Sequence, residues 1–277
     1  MITIFTPTYN RAHTLPKLYE SLKPQTGKNF EWLIVDDGST DSTPELIASF
    51  QKENPFPIRY IKQENQGKHV AFNRGVKEAK GSYFANIDSD DFLLPDAVSM
   101  FYILIDEIRN RPYSGFTFIR FSDSKKYNPD HYGNKRWNKG EPYQWEFWGE
   151  MQYCIKREIL AQFPFPVFPG EKFCPESLIL RRLEQKYNIL YTDCVLAKGD
   201  YLEEGLTRQY YKLLLANPHG SLLNYKERMK NEPHLRKSLT QQYLDIAFKA
   251  KGVSVREKWL TVNPLDLFSF LANKFQK

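Results

Sequence analysis

Residues Tyr83–Asp91 read YFANIDSDD, a short run of strand character that ends in three carboxylates, Asp88, Asp90 and Asp91. Three anions gathered at a strand end repel one another unless a positive charge sits among them. Carboxylate oxygens are hard ligands suited to Mg²⁺ or Mn²⁺, so a divalent cation is the natural partner of this cluster. In an open α/β sheet, ligands bind beyond the carboxyl ends of the strands, which makes the position of the cluster as informative as its composition. A solvated acidic turn that caps the next helix is the plain alternative for DSDD taken alone. The chain upstream decides against it.

Ile2–Phe5 reads as a strand, TPTYNR as a loop, and Leu15, Leu18, Tyr19 and Leu22 fall at helical spacing, with Asn10 or Thr14 as the cap. Phe30–Val35 is a second strand, and it too ends in carboxylates, Asp36 and Asp37, followed by GSTD. Ser42 and Glu45 read as a capping box with Pro44 in the first turn, which predicts a helix to Glu53. One capping residue would serve that helix, so two adjacent aspartates call for a further role. Ile58–Ile61 is a third strand, and ENQGKHVAFNRG opens a helix through Val70, Ala71, Arg74 and Lys77 that Gly81 closes. Lys68 and Arg74 are available to a phosphate, and each read singly also suits a solvated basic face. Four strand–helix alternations within about ninety residues predict a parallel sheet with right-handed crossovers and polar loops along one edge.

Taken in order, TPTYNR, VDDGSTD, ENQGKHVAFNRG and ANIDSDDFLLPD resemble the N-terminal half of a family 2 glycosyltransferase of GT-A fold. Four motifs in sequence are far more specific than any one of them. The resemblance implies a nucleotide-sugar site, with Thr6, Pro7, Thr8 and Tyr9 beside the base and ribose and Asp37 accepting from the base imide. It makes DSDD a DxD-type motif, with Asp90 the direct metal ligand and Asp88 near the ribose or the metal. Arg11, Gly67, Lys68, Asn73 and Ser89 complete the donor-binding set that it implies. The cofactor is then Mn²⁺ or Mg²⁺, and the donor a nucleoside-diphosphate sugar, UDP favoured. The acceptor is a hydroxyl of a glycan or lipid-linked molecule in surface polysaccharide synthesis, and the sugar is transferred with inversion. Carboxylates, a cation and a diphosphate form one charge-balanced cluster, so the reading from residues agrees.

Beyond Pro95, helical spacing runs from Ala97 to Ile108, and PYSGFTFIRF supplies a further strand. Ser122–Gly149 reads as a long loop with Trp137, Trp145 and Trp148 close together, either an acceptor lid that stacks on sugar rings or a small satellite core. Met151–Lys156 is a strand and EILAQF a helical turn. A proline-rich stretch then leads into a helix with Leu178, Leu180 and Leu183. Enzymes that this chain resembles carry an acidic catalytic base just inside such a helix, often as an ED pair, with an arginine six positions on. Glu176 precedes Arg182 by six and Pro175 takes the first place of the pair, so the resemblance implies Glu176 as the base, with Glu171 as the alternative. A glutamate in a first helical turn is also favoured by the helix dipole, which stabilises the ionised form a base needs. Two short strands follow Ile189, and Gly205, Leu206, Thr207 and Arg208 form a polar turn that could close over the diphosphate. The rest reads helical, ending in LDLFSFLANKF with Leu267, Phe268, Leu271 and Phe275 on one face. That face docks against the body or lies at the inner membrane leaflet, where the basic C-terminal region would meet anionic lipid.

The 277 residues allow one large α/β domain with additions, and 41% hydrophobic with 26% charged residues exclude a disordered chain. A formal charge of +6 and a pI near 9.0 suit a polyanionic ligand or an anionic surface. No zinc finger, basic zipper or aromatic RNA-binding signature is present, so nucleic acid is not an expected partner. MITIFTPTYN reads directly as strand, with no secretory leader expected, and no apolar run approaches the ~20 residues that span a bilayer. Cys154, Cys174 and Cys194 show no CxxC pairing, which argues against a disulfide framework or structural zinc. A cytoplasmic protein, peripheral at the inner face of the plasma membrane, fits these features. The expected fold class is α/β, a Rossmann-like, mostly parallel mixed GT-A sheet flanked by helices over residues 1–205, with a helical C-terminal extension over 206–277. Residues 1–95 form the nucleotide-sugar half and 96–205 the acceptor and catalytic half. A sugar nucleotidyltransferase is one rival, but it needs a glycine-rich basic loop after the first strand, which TPTYNRAH is not. A noncatalytic nucleotide- or sugar-binding module on the same sheet is the other.

Overall fold

The computed structural model describes residues 1–122, 136–137, 149–199, 206–259, 262–264, 267–268 and 270. Trp145, Trp148, Gly205, Leu271 and Phe275 lie outside them, as do the side chains of Trp137, Leu206 and Thr207. The chain forms two compact units: Met1–Pro164 with Arg182–Leu202, and Phe165–Arg181 with Glu203–Lys277. Phe165–Arg181, expected within the first domain, thus groups with the C-terminal helices.

In the first unit, strands β1 (Ile2–Thr8), β2 (Phe30–Asp36), β3 (Ile58–Lys62) and β4 (Tyr83–Asn86) run parallel in the order β3-β2-β1-β4. Helices α1 (Leu15–Leu22), α2 (Thr43–Glu53) and α3 (Lys68–Glu78) connect them. Both sheet faces are covered, which is why the strands read as apolar runs rather than alternating ones. Ile2, Ile4, Trp32, Ile34 and Ala85 pack on one face with Leu15, Leu18, Tyr19 and Phe50. Phe5, Leu33, Val35 and Phe84 pack on the other with Ala71 and Val76 of α3. Glycine at position 75 lets α3 come close, because a Cβ there would meet the Phe5 ring at 2.2 Å.

The sheet continues as a mixed one. Strand β8 (Gly149–Lys156) is antiparallel both to β4 and to β6 (Tyr113–Ser122). Strand β10 (Val195–Gly199) lies parallel to β6 and antiparallel to β5 (Phe92–Leu93). Strand β9 (Asn188–Thr192) pairs with the start of β6 and with β7 (Arg136–Trp137), inside the stretch expected to be all loop. Two-residue strands such as β5 and β7 are too short to leave a periodic signal. Helices α4 (Ala97–Ile108), α5 (Arg157–Leu160) and the C-terminal half of α6 (Ser177–Lys186) complete this unit.

Three local expectations change. The Ser42 side chain does not cap α2; Asp41, one residue upstream, accepts from the Thr43 N–H at 3.0 Å instead. Asn10 and Thr14 do not cap α1, and the side-chain oxygen Oδ1 of Asn10 accepts from the Thr40 N–H at 2.8 Å, joining two loops. Gly81 is no left-handed cap for α3. A Cβ there would lie 2.4 Å from the Thr3 backbone nitrogen, so close approach to β1 demands the glycine.

The second unit holds α7 (Leu206–Ala216), α8 (Pro218–Asn231), α9 (Arg236–Lys249) and α10 (Val255–Trp259) around Leu222, Tyr225, Leu239, Tyr243 and Leu244. Leu267 is buried in this core while Phe268 is 73% exposed, so these neighbours do not share the single apolar face expected of them. Among the described residues no helix is long and apolar enough to cross a membrane.

Candidate active site

The acidic motif sits where β4 ends. The Ile87 N–H donates to the Phe5 carbonyl at 2.8 Å, and the Asp91 N–H to the Asp88 carbonyl at 3.1 Å, folding the turn back so that oxygens of Asp88, Asp90 and Asp91 lie within 4.8 Å of one another. Each carboxylate has a different environment. The Asp88 oxygens accept from Lys68 Nζ at 2.8 Å and Asn86 Nδ2 at 3.1 Å. Burial works against its ionisation, but Lys68 and these hydrogen bonds outweigh it and hold the carboxyl below the ordinary range. Asp91 Oδ1 accepts from Arg120 Nε at 2.6 Å, and both side chains are buried. Burial, then the charge of Asp88, pushes Asp91 up to about 7 against the pull of Arg120. Asp90 is raised by burial and next by Asp88, and among the described residues only its own backbone N–H is hydrogen-bonded to its side chain.

This donor set fits a hard divalent cation. Asp91 is spent on Arg120, whereas Asp90 is a crowded anion that makes no ion pair among the described residues and feels the Arg11 and Lys68 charges only at longer range. Asp88 and Asp90, both half-buried, are the residues that would hold the ion. Ser89 between them is buried.

The second acidic strand end is joined to the first by one polar chain. Asp36 is fully buried and closes its own turn, accepting from the Ser39 N–H at 2.7 Å and the Tyr60 hydroxyl at 2.6 Å. Asp37 holds the β3–α3 loop: Oδ1 accepts from Gln63 Nε2 at 2.8 Å and the Gln66 N–H at 2.9 Å, and Oδ2 from the Gly67 N–H at 2.7 Å. Gly67 adopts φ 99°, a left-handed value that favours glycine, and α3 starts at the next residue, Lys68, which reaches Asp88. The aspartate pair therefore does two jobs, neither of them capping α2.

The β1–α1 loop lies beside this chain. The Arg11 N–H donates to Thr43 Oγ1 at 3.1 Å, and the Asn10 N–H to Ser39 Oγ at 2.8 Å. Thr6 and Pro7 are buried within β1, and the Thr6 hydroxyl accepts from Trp32 Nε1 at 3.0 Å, which commits that side chain to the core. Tyr9 is exposed. The Thr8 hydroxyl at the end of β1 is buried with no hydrogen-bond partner among the described residues, a polar orphan on the loop edge of the sheet. Asn73 is half-buried on α3 and Arg74 exposed. Arg120 and Gly199 were missed in the sequence. An arginine inside the otherwise apolar run GFTFIRF was the available signal for the first, since a buried guanidinium needs an anion.

The two carboxylates considered for the base belong to the second unit. Glu176 lies in the turn just before α6 rather than in its first turn, with its side chain exposed and its carbonyl accepting from the Leu180 N–H at 3.4 Å. Glu171 is 8% exposed and both its oxygens are engaged: Oε1 by the His219 N–H at 2.7 Å and His219 Nδ1 at 2.8 Å, Oε2 by the Gly220 N–H at 3.0 Å.

The glycosyl transferase family 2 model matches residues 3–162, more than half of the chain. The chain belongs to this family. An uncharacterized glycosyltransferase of Rickettsia felis is 36% identical over 126 residues, covering 46% of this chain and 20% of that protein. The chondroitin synthase of Escherichia coli is 38% identical over 109 residues, covering 39% and 15%. This family 2 chain thus spans a fifth or less of the length of these relatives. Among solved structures, S. aureus TarS 1-349 in complex with UDP-GlcNAc matches 99% of this chain and 80% of its own, with TM-score 0.65 and 17% identity. Mannosyltransferase PcManGT from Pyrobaculum calidifontis, in complex with GDP-Man and Mn²⁺, matches 99% and 79%, with TM-score 0.59 and 15% identity. At such identities the likeness is one of fold, and the mixed GT-A architecture expected from the sequence is the one the family 2 chain has.

Proposed function

We propose that this chain transfers a sugar, hexosyl or N-acetylhexosaminyl, from a UDP-linked donor to a hydroxyl of a glycan or lipid-linked acceptor in surface polysaccharide synthesis. The observation that carries the reading is the carboxylate cluster of a family 2 chain, gathered at the C-terminal end of a parallel strand with Asp90 outside any ion pair among the described residues. The structural neighbours holding UDP-GlcNAc or GDP-Man with Mn²⁺, and relatives named chondroitin and hyaluronan synthases, support it. A divalent cation on Asp88 and Asp90, when bound, would offset the charge of the leaving diphosphate. Asp37, Gly67 and the Thr8–Arg11 loop bind the nucleoside end, and Lys68 sits between them and Asp88. Glu176 takes the proton of the acceptor hydroxyl as its oxygen bonds to the anomeric carbon. The bond from that carbon to the diphosphate breaks on the opposite face, and the nucleoside diphosphate leaves with its electron pair, so the anomeric centre inverts. Glu171 is unsuited to this role because its lone pairs already serve His219 and Gly220.

The test is release of nucleoside diphosphate from UDP-GlcNAc, UDP-glucose, UDP-galactose and GDP-mannose by the full chain, with Mn²⁺ or with EDTA and with water as the acceptor. Mn²⁺-dependent release from a UDP-sugar is expected, and binding of every donor without any turnover would favour a noncatalytic module. Peripheral membrane contact at the cytoplasmic face, through the basic helices α8–α10 and the exposed Phe268, belongs to the same proposal. Co-sedimentation with anionic but not neutral vesicles is the expected result, and equal recovery with both would remove it.

A further inference from the structure

The segment that carries Glu176 is fastened to α8 at both its ends and between them. Asn217 Oδ1 accepts from the Lys172 N–H at 2.7 Å and the Phe173 N–H at 3.1 Å. Glu171 accepts from the amides of His219 and Gly220. Ser177 Oγ donates to Asn224 Oδ1 at 3.2 Å. Arg181 pairs with Glu232, which Arg228 also holds at 3.2 Å. The partners on the α8 side are Asn217, His219, Gly220, Asn224 and Glu232, which run from the N-cap of the helix to its C-cap.

The caps are exchanged between the two segments. Asn217 occupies the N-cap position of α8, yet its side chain serves Lys172 and Phe173. Pro218 has no N–H, and the next two free amides of α8 are capped by Glu171 from the other segment. Each cap therefore holds only while the segments are together. Between the fixed points at Phe173 and Ser177 lie three residues, of which Cys174 and Pro175 are buried and Glu176 is exposed. A proline and two anchored ends leave that turn little conformational freedom.

We propose that α8, with Glu171 and Asn217 as exchanged caps, is the positioning device for the Glu176 turn; this rests on reading Glu176 as the proton acceptor. Glu171 is then a positioning residue that acts through the segment it holds.

The experiment uses the full chain and the nucleotide sugar of the four above that gives the highest Mn²⁺-dependent turnover in water. Glu171→Ala is expected to lower kcat ~10-fold or more with KM for the nucleotide sugar unchanged. It also speeds amide hydrogen exchange over residues 172–180 and leaves exchange over Tyr83–Asp91 as in the parent. Asn224→Ala, which removes only the Ser177 contact, moves both readouts in the same direction by less and serves if Glu171→Ala does not fold. Faster exchange with unchanged kcat in either variant, or unchanged exchange over 172–180, overturns the proposal while Glu176→Gln still tests the base by itself. Full turnover by Glu176→Gln removes the base reading and its positioning together, so the two failures are told apart by which variant stays fast.

Discussion

Gly199 and Asp91 approach so closely that a Cβ on Gly199 would lie 2.0 Å from Asp91 Oδ1 and 3.0 Å from an Arg120 guanidinium nitrogen. The buried Arg120–Asp91 pair thus needs a residue without a side chain on the neighbouring strand. Gly199→Ala is expected to destabilise the fold by about 1–3 kcal/mol, the usual cost of overpacking, and to weaken Mn²⁺ binding because the acidic turn shifts. Urea unfolding and Mn²⁺ titration check this, and a parent-like result in both would mean that the turn yields freely.

Arg120→Met leaves Asp91 buried without its partner, at a cost of about 3–5 kcal/mol in urea unfolding at about pH 9 and of less at about pH 6, where the raised carboxyl takes up a proton. Adding Asp91→Asn should recover part of that loss, since the uncompensated charge is then gone. A double variant no more stable than Arg120→Met alone would show that packing, not charge, sets the effect.

Asp90→Ala should abolish metal-dependent nucleotide binding, because Asp88 is already paired with Lys68 and Asp91 with Arg120. Calorimetry of UDP with Mn²⁺ and with EDTA reads it out. Undiminished binding of UDP to the parent in EDTA would sink metal dependence, and undiminished binding to the variant in Mn²⁺ would move the ion elsewhere.

Asp37→Ala removes the acceptor of the Gln63, Gln66 and Gly67 hydrogen bonds and with it the hold on the β3–α3 loop. UDP affinity is expected to fall ~10-fold or more while Mn²⁺ affinity changes little, each lost charge-assisted hydrogen bond mattering by about 1.5–3 kcal/mol. Unchanged affinity for uridine would leave Asp37 a loop clamp alone.

Glu176→Gln keeps the size and shape of the side chain and removes its capacity to take a proton. Donor binding should survive, and turnover should drop ~10²-fold or more. Retained turnover here with loss in Glu171→Gln would place the base at Glu171 despite its engaged oxygens.

The parallel half of the sheet was legible because β1, β2 and β4 are buried on both faces, leaving apolar runs that end abruptly in polar motifs. Asp88 and Asp90 were legible for the same reason, as charge where a strand stops. The distribution of work among the acids was not. Asp91 looks like its neighbours in sequence, and only the fold brings Arg120 from β6 to neutralise it. Glu171 and Glu176 are both acidic residues near a helix start, and their difference lies in partners on α8 nearly fifty residues away. Ser42 followed by Glu45 is a sound capping signal, but the side chain that reaches an open amide of the first turn is Asp41, one residue earlier, on Thr43.

The contact between Gly199 and Asp91 also sets an order of events in synthesis. The acidic turn is complete in sequence by Asp91, yet the strand that backs it leaves the ribosome about a hundred residues later, several seconds at ordinary translation speeds. During that interval the three aspartates exist without their finished support. A nascent chain paused before β10 would carry the motif but not the surface that shapes it, so the acidic turn takes its final form late, with the closing of a strand from a distant part of the sequence.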